Sequence, residues 1–458
     1  MTVLPADAVT ELIRVLPADQ VLTDPDVMAT YSRDHTFLQP GKPLCVVLAR
    51  HRDDVVATMR WASAHRIPVV PRGAGTGVSG GATATDGCVV LTLDRMTAIV
   101  ELNPEDELAV VEPGVITADL DRAARAHGLM YAPDPGSYEI SSIGGNLATN
   151  AGGLRCVKYG VTRDSVLGLE AVLADGRVMA TGRRTLKGVA GYDLTSLFVG
   201  SEGTLGVITS ATLRLRRAPL VPPATVAAEF PDVRTAAAAS GAIVSAGLRP
   251  SMLELLDRMG LQAIDDMRSI GLGANVGAML LIQCDDPDPQ PGAEEMAKLC
   301  RQAGASFVAV SSDEAESAEL IGIRRMAYPA LERLGQLLPE DVCVPRSALS
   351  EMIERIAAIS ASSGVPIGCA AHAGDGNLHP VFVFDRGLPE PPPEIWAAAE
   401  EVFRAALDLG GTLTGEHGVG VLKRRWLELE TGPVVADVQR SIKHALDPLG
   451  ILNPGKAI

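Results

Sequence analysis

Backbone left bare of side chains is costly to order, so a chain that keeps three glycine-rich loops in one stretch is strongly constrained by them. The first loop is Pro68–Ala82, with Gly73, Gly75, Gly77, Gly80 and Gly81. The second is Asp134-Pro135-Gly136-Ser137 followed by Ser141–Gly153, and the third is Gly200–Thr209. Gly75, Gly77 and Gly80 have the spacing of a dinucleotide-binding turn after a predicted strand. Such a turn works only where a helix opens at its end and aims its N-terminus at a pyrophosphate. Gly80-Gly81-Ala82-Thr83-Ala84-Thr85-Asp86-Gly87 cannot open a stable helix, and a predicted strand, Cys88–Leu93, follows directly. A Rossmann turn is therefore excluded. What remains is either a flexible surface turn or a string of N–H groups able to wrap an anion. Three such loops in one domain suit a long, doubly charged cofactor lying across them.

The surroundings read as α+β. From about residue 43 to 217, short apolar runs alternate with turns and short helices. The runs are Val46–Leu48, Val69–Val70, Val89–Leu93, Ala109–Val111, Leu169–Leu173, Gly206–Ile208 and Ala211–Leu215. Pro219, Pro222 and Pro223 mark a break. Beyond it, Ala-rich helices are expected over about 232–246, 254–266, 293–303, 313–332 and 347–363, between strands such as Ala278–Gln283 and Ser306–Val310. A hairpin at 366–384, a helix at 394–409 and a last helix, Val435–Pro448, complete the chain. The expected divisions are a helical lead-in (1–37), the loop-bearing domain (38–217), a cap (218–430) and a C-terminal segment (431–458).

Several function classes drop out. A formal charge of −16 disfavours nucleic acid and anionic membranes as partners. The seven cysteines are scattered without a CxxC, which signals neither an iron–sulfur cluster nor a thiolate zinc site. Their odd number, with no signal peptide, points to reduced thiols in a cytoplasmic protein. No apolar run reaches the ~20 residues that span a bilayer.

Three of the eight histidines fall in two short motifs. The first is His372-Ala373-Gly374-Asp375-Gly376-Asn377-Leu378-His379-Pro380. With Asp375-Gly376 as a two-residue turn, His372 lies directly opposite His379, their Cβ atoms about 4.5–5.5 Å apart. That pair is either packed polar structure or two ligands for one ion. The second motif, Gly415-Glu416-His417-Gly418-Val419-Gly420, is either a capping loop or a contorted backbone that turns Glu416 and His417 into one cavity. Together they supply two histidines, a carboxylate and a spare histidine: an open three-ligand metal site plus a proton acceptor. Arg324 and Arg325 on a helix, and more weakly Arg346, could clamp a carboxylate or simply face solvent.

From about residue 38 onward the chain resembles the vanillyl-alcohol oxidase, or PCMH-type, flavoprotein family, and within it the branch that contains glycolate oxidase and D-lactate dehydrogenase. The resemblance implies that Arg72, Gly73, Ala74, Gly75, Thr76, Gly77 and Ser79 hold the FAD pyrophosphate. Pro135, Ser137, Ser142, Gly145, Asn150, Gly152 and Ile208 would line the rest. Thr76 stands where some members attach flavin through a histidine, so non-covalent FAD is expected. The resemblance further implies His372, His379 and Glu416 as metal ligands, His417 as catalytic base and Arg324 as the substrate-acid partner. Zinc, iron(II) and manganese all suit such ligands.

The expected activity is removal of hydride from a small 2-hydroxy acid. Val381, two residues beyond His379, offers nothing to a second carboxylate, which favours monocarboxylates. Electrons would pass to a separate protein, a quinone-linked partner or oxygen. The rivals are a non-redox FAD enzyme resembling alkylglycerone-phosphate synthase, and a flavin subunit active only in a larger oxidase complex. The C-terminal loop around Asn453–Lys456 is expected to return toward the flavin.

Overall fold

A computed structural model describes residues 6–185, 187–269, 271 and 275–458. The chain divides into two compact units. One holds the chain up to Ala151, Val161–Ala218 and Glu416–Ile458; the other holds Gly152–Gly160 and Pro219–Gly415. The second unit therefore ends at Gly415 rather than near 430, and the C-terminal segment belongs to the first. The lead-in is not separate either. Leu12 and Leu16 pack with Val47, Met59 and Trp61, and the Trp61 indole donates to the Ala8 carbonyl.

The first unit contains two main sheets. One runs Val21–Leu22, Cys45–Leu48, Val89–Thr92, Val69–Arg72, with the last three strands parallel. Cys45–Leu48 and Val89–Thr92 are wholly buried, as continuous apolar runs in a parallel sheet should be. The helix Arg52–His65 connects Cys45–Leu48 to Val69–Arg72. The other sheet is antiparallel, in the order Ile99–Asn103, Leu108–Val111, Val207–Arg214, Val166–Val172, Val178–Gly182. Its central Val207–Arg214 unites two runs that the sequence suggested were separate. A register shift between Ile208 and Ser210 carries the strand across the interruption. No helix follows Gly80; the next regular element after Val69–Arg72 is Val89–Thr92.

The second unit is built on one antiparallel sheet: Phe307–Ser311, Ala224–Phe230, Ala278–Cys284, Met252–Asp257, Ile367–His372, Asn377–Phe384, Gln336–Pro339, with Val342–Cys343 also on Asn377–Phe384. The segment 254–266 is not one helix. Met252–Asp257 is an inner strand, and the helix is Arg258–Arg268, capped where the Asp257 carboxylate accepts from Gly260 N–H at 2.8 Å. Covered on both faces, the strand shows no alternation, so Met-Leu-Glu-Leu-Leu reads equally well as helix. The helix Glu314–Arg325 starts at Asp313, whose side chain accepts from Glu316 N–H. Its Leu320, Ile321 and Ile323 pack on a core containing Leu256, Leu261, Leu331 and Val381. Among the described residues no helix is long and apolar enough to cross a membrane.

Candidate active site

The three glycine loops converge within the first unit. Ser142 caps the helix Ile143–Thr149, and its hydroxyl oxygen receives N–H groups from both Gly145 (3.3 Å) and Ala74 (3.2 Å). A Cβ on Gly73 would strike that hydroxyl, so the first two loops touch only because Gly73 is glycine. The third loop joins them through Gly200 N–H to the Leu147 carbonyl and Glu202 N–H to the Ala148 carbonyl. The Arg72 guanidinium is spent on carbonyls of Tyr31, Arg33 and Gly73, so it braces the first loop from behind. Gly75 has φ +76°, and a Cβ there would meet Arg72. By contrast, a Cβ on Gly77 or Gly136 would meet no protein atom within 4 Å. Bare, uncovered backbone of this kind fits a pyrophosphate.

Other expected loop residues are placed as follows. Thr76 is half-buried. Pro135 and Ser137 form a turn whose carbonyls receive Tyr138, Ile140 and Ser141 N–H groups. Asn150 is left-handed (φ 54°) and its side chain accepts from Arg163 N–H. Ile208 is buried in the antiparallel core. Gly152 falls in the short segment grouped with the second unit.

Ser79 and Glu202 have a role the sequence did not suggest. The Ser79 hydroxyl donates to the His417 carbonyl at 3.1 Å, and the Ser79 carbonyl receives Val421 N–H. Glu202 is buried and accepts from Val419 and Gly420 N–H, each at 2.8 Å. Burial raises its pKa, although the two N–H groups, Lys423 and Lys456 oppose the shift. The loop carrying His417 is thus clamped from both sides. The chain end returns to the same place: Asn453 donates to Gly81 and Glu202 carbonyls, and Lys456 to Gly81 and Thr83 carbonyls.

In the second unit the histidine hairpin differs from expectation by a register shift of two residues. His372 pairs with Asn377, and His379 pairs with Ala370. The turn contains four residues, because Asp375 and Gly376 N–H groups fold back on the His372 carbonyl. The two histidines are therefore offset by two residues, not opposite. An even offset keeps them on one face, and their rings meet edge to face at 4.9 Å. Asp341 receives the Thr414 hydroxyl (2.9 Å) and Gly415 N–H, fixing the approach to the next residue, Glu416. Gly415 must be glycine, since a Cβ would strike the Asn377 amide. One ligand atom from each of His372, His379 and Glu416 lies within 4.8 Å of the others. Two imidazoles and a carboxylate form a donor set that a divalent ion accepts.

Arg324 points inward, its side chain 13% exposed, and its Nε donates to Glu254 at 2.8 Å. Arg325 and Arg346 are exposed. The other Glu254 oxygen lies 2.7 Å from His372 Nδ1. Burial opposes the Glu254 charge, but the facing His372 and Arg324 outweigh it and hold the carboxyl below its usual range. Val381 is a core residue, in one cluster with Leu256, Leu261 and Leu331. Lys423 is buried, and its charge acts on Glu202.

Residues 43–182 match the family model "FAD binding domain", and residues 223–457 match "FAD linked oxidases, C-terminal domain". The chain belongs to the FAD-linked oxidase family. This FAD-linked oxidoreductase is 42% identical over 429 residues to "Glycolate oxidase subunit GlcD" of Bacillus subtilis (strain 168), covering 93% of this chain and 91% of that protein. It is 37% identical over 418 residues to "D-lactate dehydrogenase" of Archaeoglobus fulgidus, covering 90% and 91%. Its fold matches that of p-cresol methylhydroxylase with substrate bound, at a TM-score of 0.83 and 18% identity over 98% of this chain and 96% of that one. The PCMH-type α+β fold and FAD as cofactor follow.

Proposed function

We propose that this FAD-linked oxidoreductase converts a small 2-hydroxy monocarboxylate, such as glycolate or D-lactate, to its 2-keto acid with non-covalent FAD and one divalent ion. The convergence of His372, His379 and Glu416 carries the reading. The relatives named glycolate oxidase subunit and D-lactate dehydrogenase support the same substrate class.

When bound, the flavin supplies a two-electron acceptor and the ion polarises the substrate alcohol. His372, His379 and Glu416 would hold zinc, iron(II) or manganese with positions left open. His417 would take the C2 hydroxyl proton near neutral pH. Arg324 would bind the carboxylate through the guanidinium edge that Glu254 leaves free, and one such edge satisfies one carboxylate. Val381 packs in the core and leaves that selection to Arg324. The glycine loops would hold FAD mainly by backbone N–H groups, since the Arg72, Ser79, Ser142 and Asn150 side chains already have partners. With Thr76 in the first loop, acid precipitation should leave the yellow flavin in the supernatant.

Electrons would leave to a separate protein, a quinone-linked partner or oxygen. The Bacillus relative is named as one subunit of an oxidase, which favours a protein partner for this chain. The test is anaerobic mixing with a panel of 2-hydroxy acids, before and after chelation, while following flavin absorbance. Bleaching by monocarboxylates that chelation abolishes is the expected result. No bleaching by any of them would return the chain to the non-redox, ether-lipid-forming reading. Bleaching unaffected by chelation would remove the metal from the mechanism.

A further inference from the structure

Glu254 lies on the inner strand Met252–Asp257, with His372 as its register partner on the neighbouring strand. Its side chain is 1% exposed. One carboxylate oxygen is 2.7 Å from His372 Nδ1 and the other is 2.8 Å from Arg324 Nε. A buried carboxylate needs partners. Here the two oxygens go to two side chains with separate tasks in the proposed site.

We propose that Glu254 is a positioning residue that joins the metal site to the carboxylate clamp. The inference rests on the metal-assisted reading above. By accepting from Nδ1–H, Glu254 fixes the His372 ring and leaves Nε2 as the lone-pair nitrogen for an ion. By taking the Nε edge of Arg324, it fixes the guanidinium plane and leaves an Nη edge for a two-bond grip on a substrate carboxylate. The distance between alcohol and acid groups in the preferred substrate is then set by one rigid side chain on a central strand. Without Glu254, both His372 and Arg324 would regain rotamer freedom together.

The test uses the FAD-loaded full chain and the variants Glu254→Gln and Glu254→Asp. Zn(II) affinity is measured by competition with a chromogenic chelator, alongside FAD content, thermal melting, and kcat and KM for D-lactate. Glu254→Gln should retain FAD, bind Zn(II) about 10–100-fold more weakly, and raise KM for D-lactate in the same protein. Glu254→Asp keeps the charge on a shorter arm and should fall between Gln and wild type. A folded Gln variant with wild-type Zn(II) affinity and KM but a lower melting temperature would overturn the inference, leaving Glu254 a packing residue. If Gln prevents folding, the Asp variant decides by the same two readouts. A wild-type protein that binds no Zn(II) and needs no metal would overturn the metal reading itself. That outcome is distinct from wild-type binding that Glu254 variants leave unchanged.

Discussion

The two units present chemistry in different materials. In the first, the glycine loops offer backbone: the side chains of Arg72, Ser79, Ser142 and Asn150 all face other protein groups, and Gly77 and Gly136 are uncovered. In the second, His372, His379, Glu254 and Arg324 are side chains on strands and a helix, held by register and by each other. A backbone cradle depends on the absence of Cβ atoms and hardly on which neighbouring side chains are present. A side-chain cluster depends on identity at each position and hardly on local glycine. The two should therefore fail independently and under different substitutions.

The largest effect should come from removing a ligand. His372→Ala or His379→Ala should lose the metal and at least ~1,000-fold in turnover, the several kcal/mol that Lewis-acid assistance supplies. The flavin-to-protein ratio should not change. Metal analysis together with the flavin spectrum checks this, and joint loss of both cofactors would erase the contrast. Next, Arg324→Ala should raise KM for D-lactate about 100-fold or more, because a desolvated substrate carboxylate left without its charged partner costs about 3–5 kcal/mol. Arg324→Lys should rescue poorly, since an ammonium cannot grip two oxygens in parallel. Steady-state kinetics on both variants decides it.

The mirror-image change lies in the first unit. Gly75→Ala places a Cβ at φ +76° against Arg72 and should weaken FAD retention about 10–100-fold while leaving Zn(II) binding intact. Flavin release during gel filtration measures the first, and chelator competition the second.

The smallest effects are in stability against pH. Burial raises Asp257, in the second unit, from its ordinary 3.8 to about 6, against the Gly260 and Cys369 N–H groups. The folded state then holds the proton more tightly, so this contribution is lost as pH rises from about 4 to about 6. Burial lowers Lys456, in the first unit, from 10.5 to about 8, with Cys88, Asp34 and Glu202 opposing. The unfolded state holds that proton more tightly, so stability rises with pH between about 8 and 10.5. Asp257→Asn should flatten the acid arm and Lys456→Met the alkaline arm of a melting-temperature profile.

Local chemistry made much of this molecule legible. Prolines at 219, 222 and 223 marked the break, and runs such as Val89–Leu93 and Ala278–Gln283 gave strands nearly in place. Gly80–Gly87 ruled out a helix because too many of its residues oppose one. The histidines shared a face despite the wrong turn length, because strand side chains repeat every two residues and the error was two. Glu254 was missed because its strand, flanked on both sides, carries no alternation. The one available signal was a lone carboxylate between Leu253 and Leu255, a charge that must find partners if buried.

By itself, then, the sequence determined where bare backbone would lie and which residue types could hold an ion or a carboxylate. Both follow from residue identity and short spacing alone. Tertiary structure decided that Arg324 and not Arg325 or Arg346 turns inward, that Ser79 and Glu202 hold the His417 loop, and that Glu254 joins His372 to Arg324. Those choices depend on strand register and on contacts between residues 70 to 338 positions apart. No local propensity encodes such distances; only the packed sheet brings the groups together.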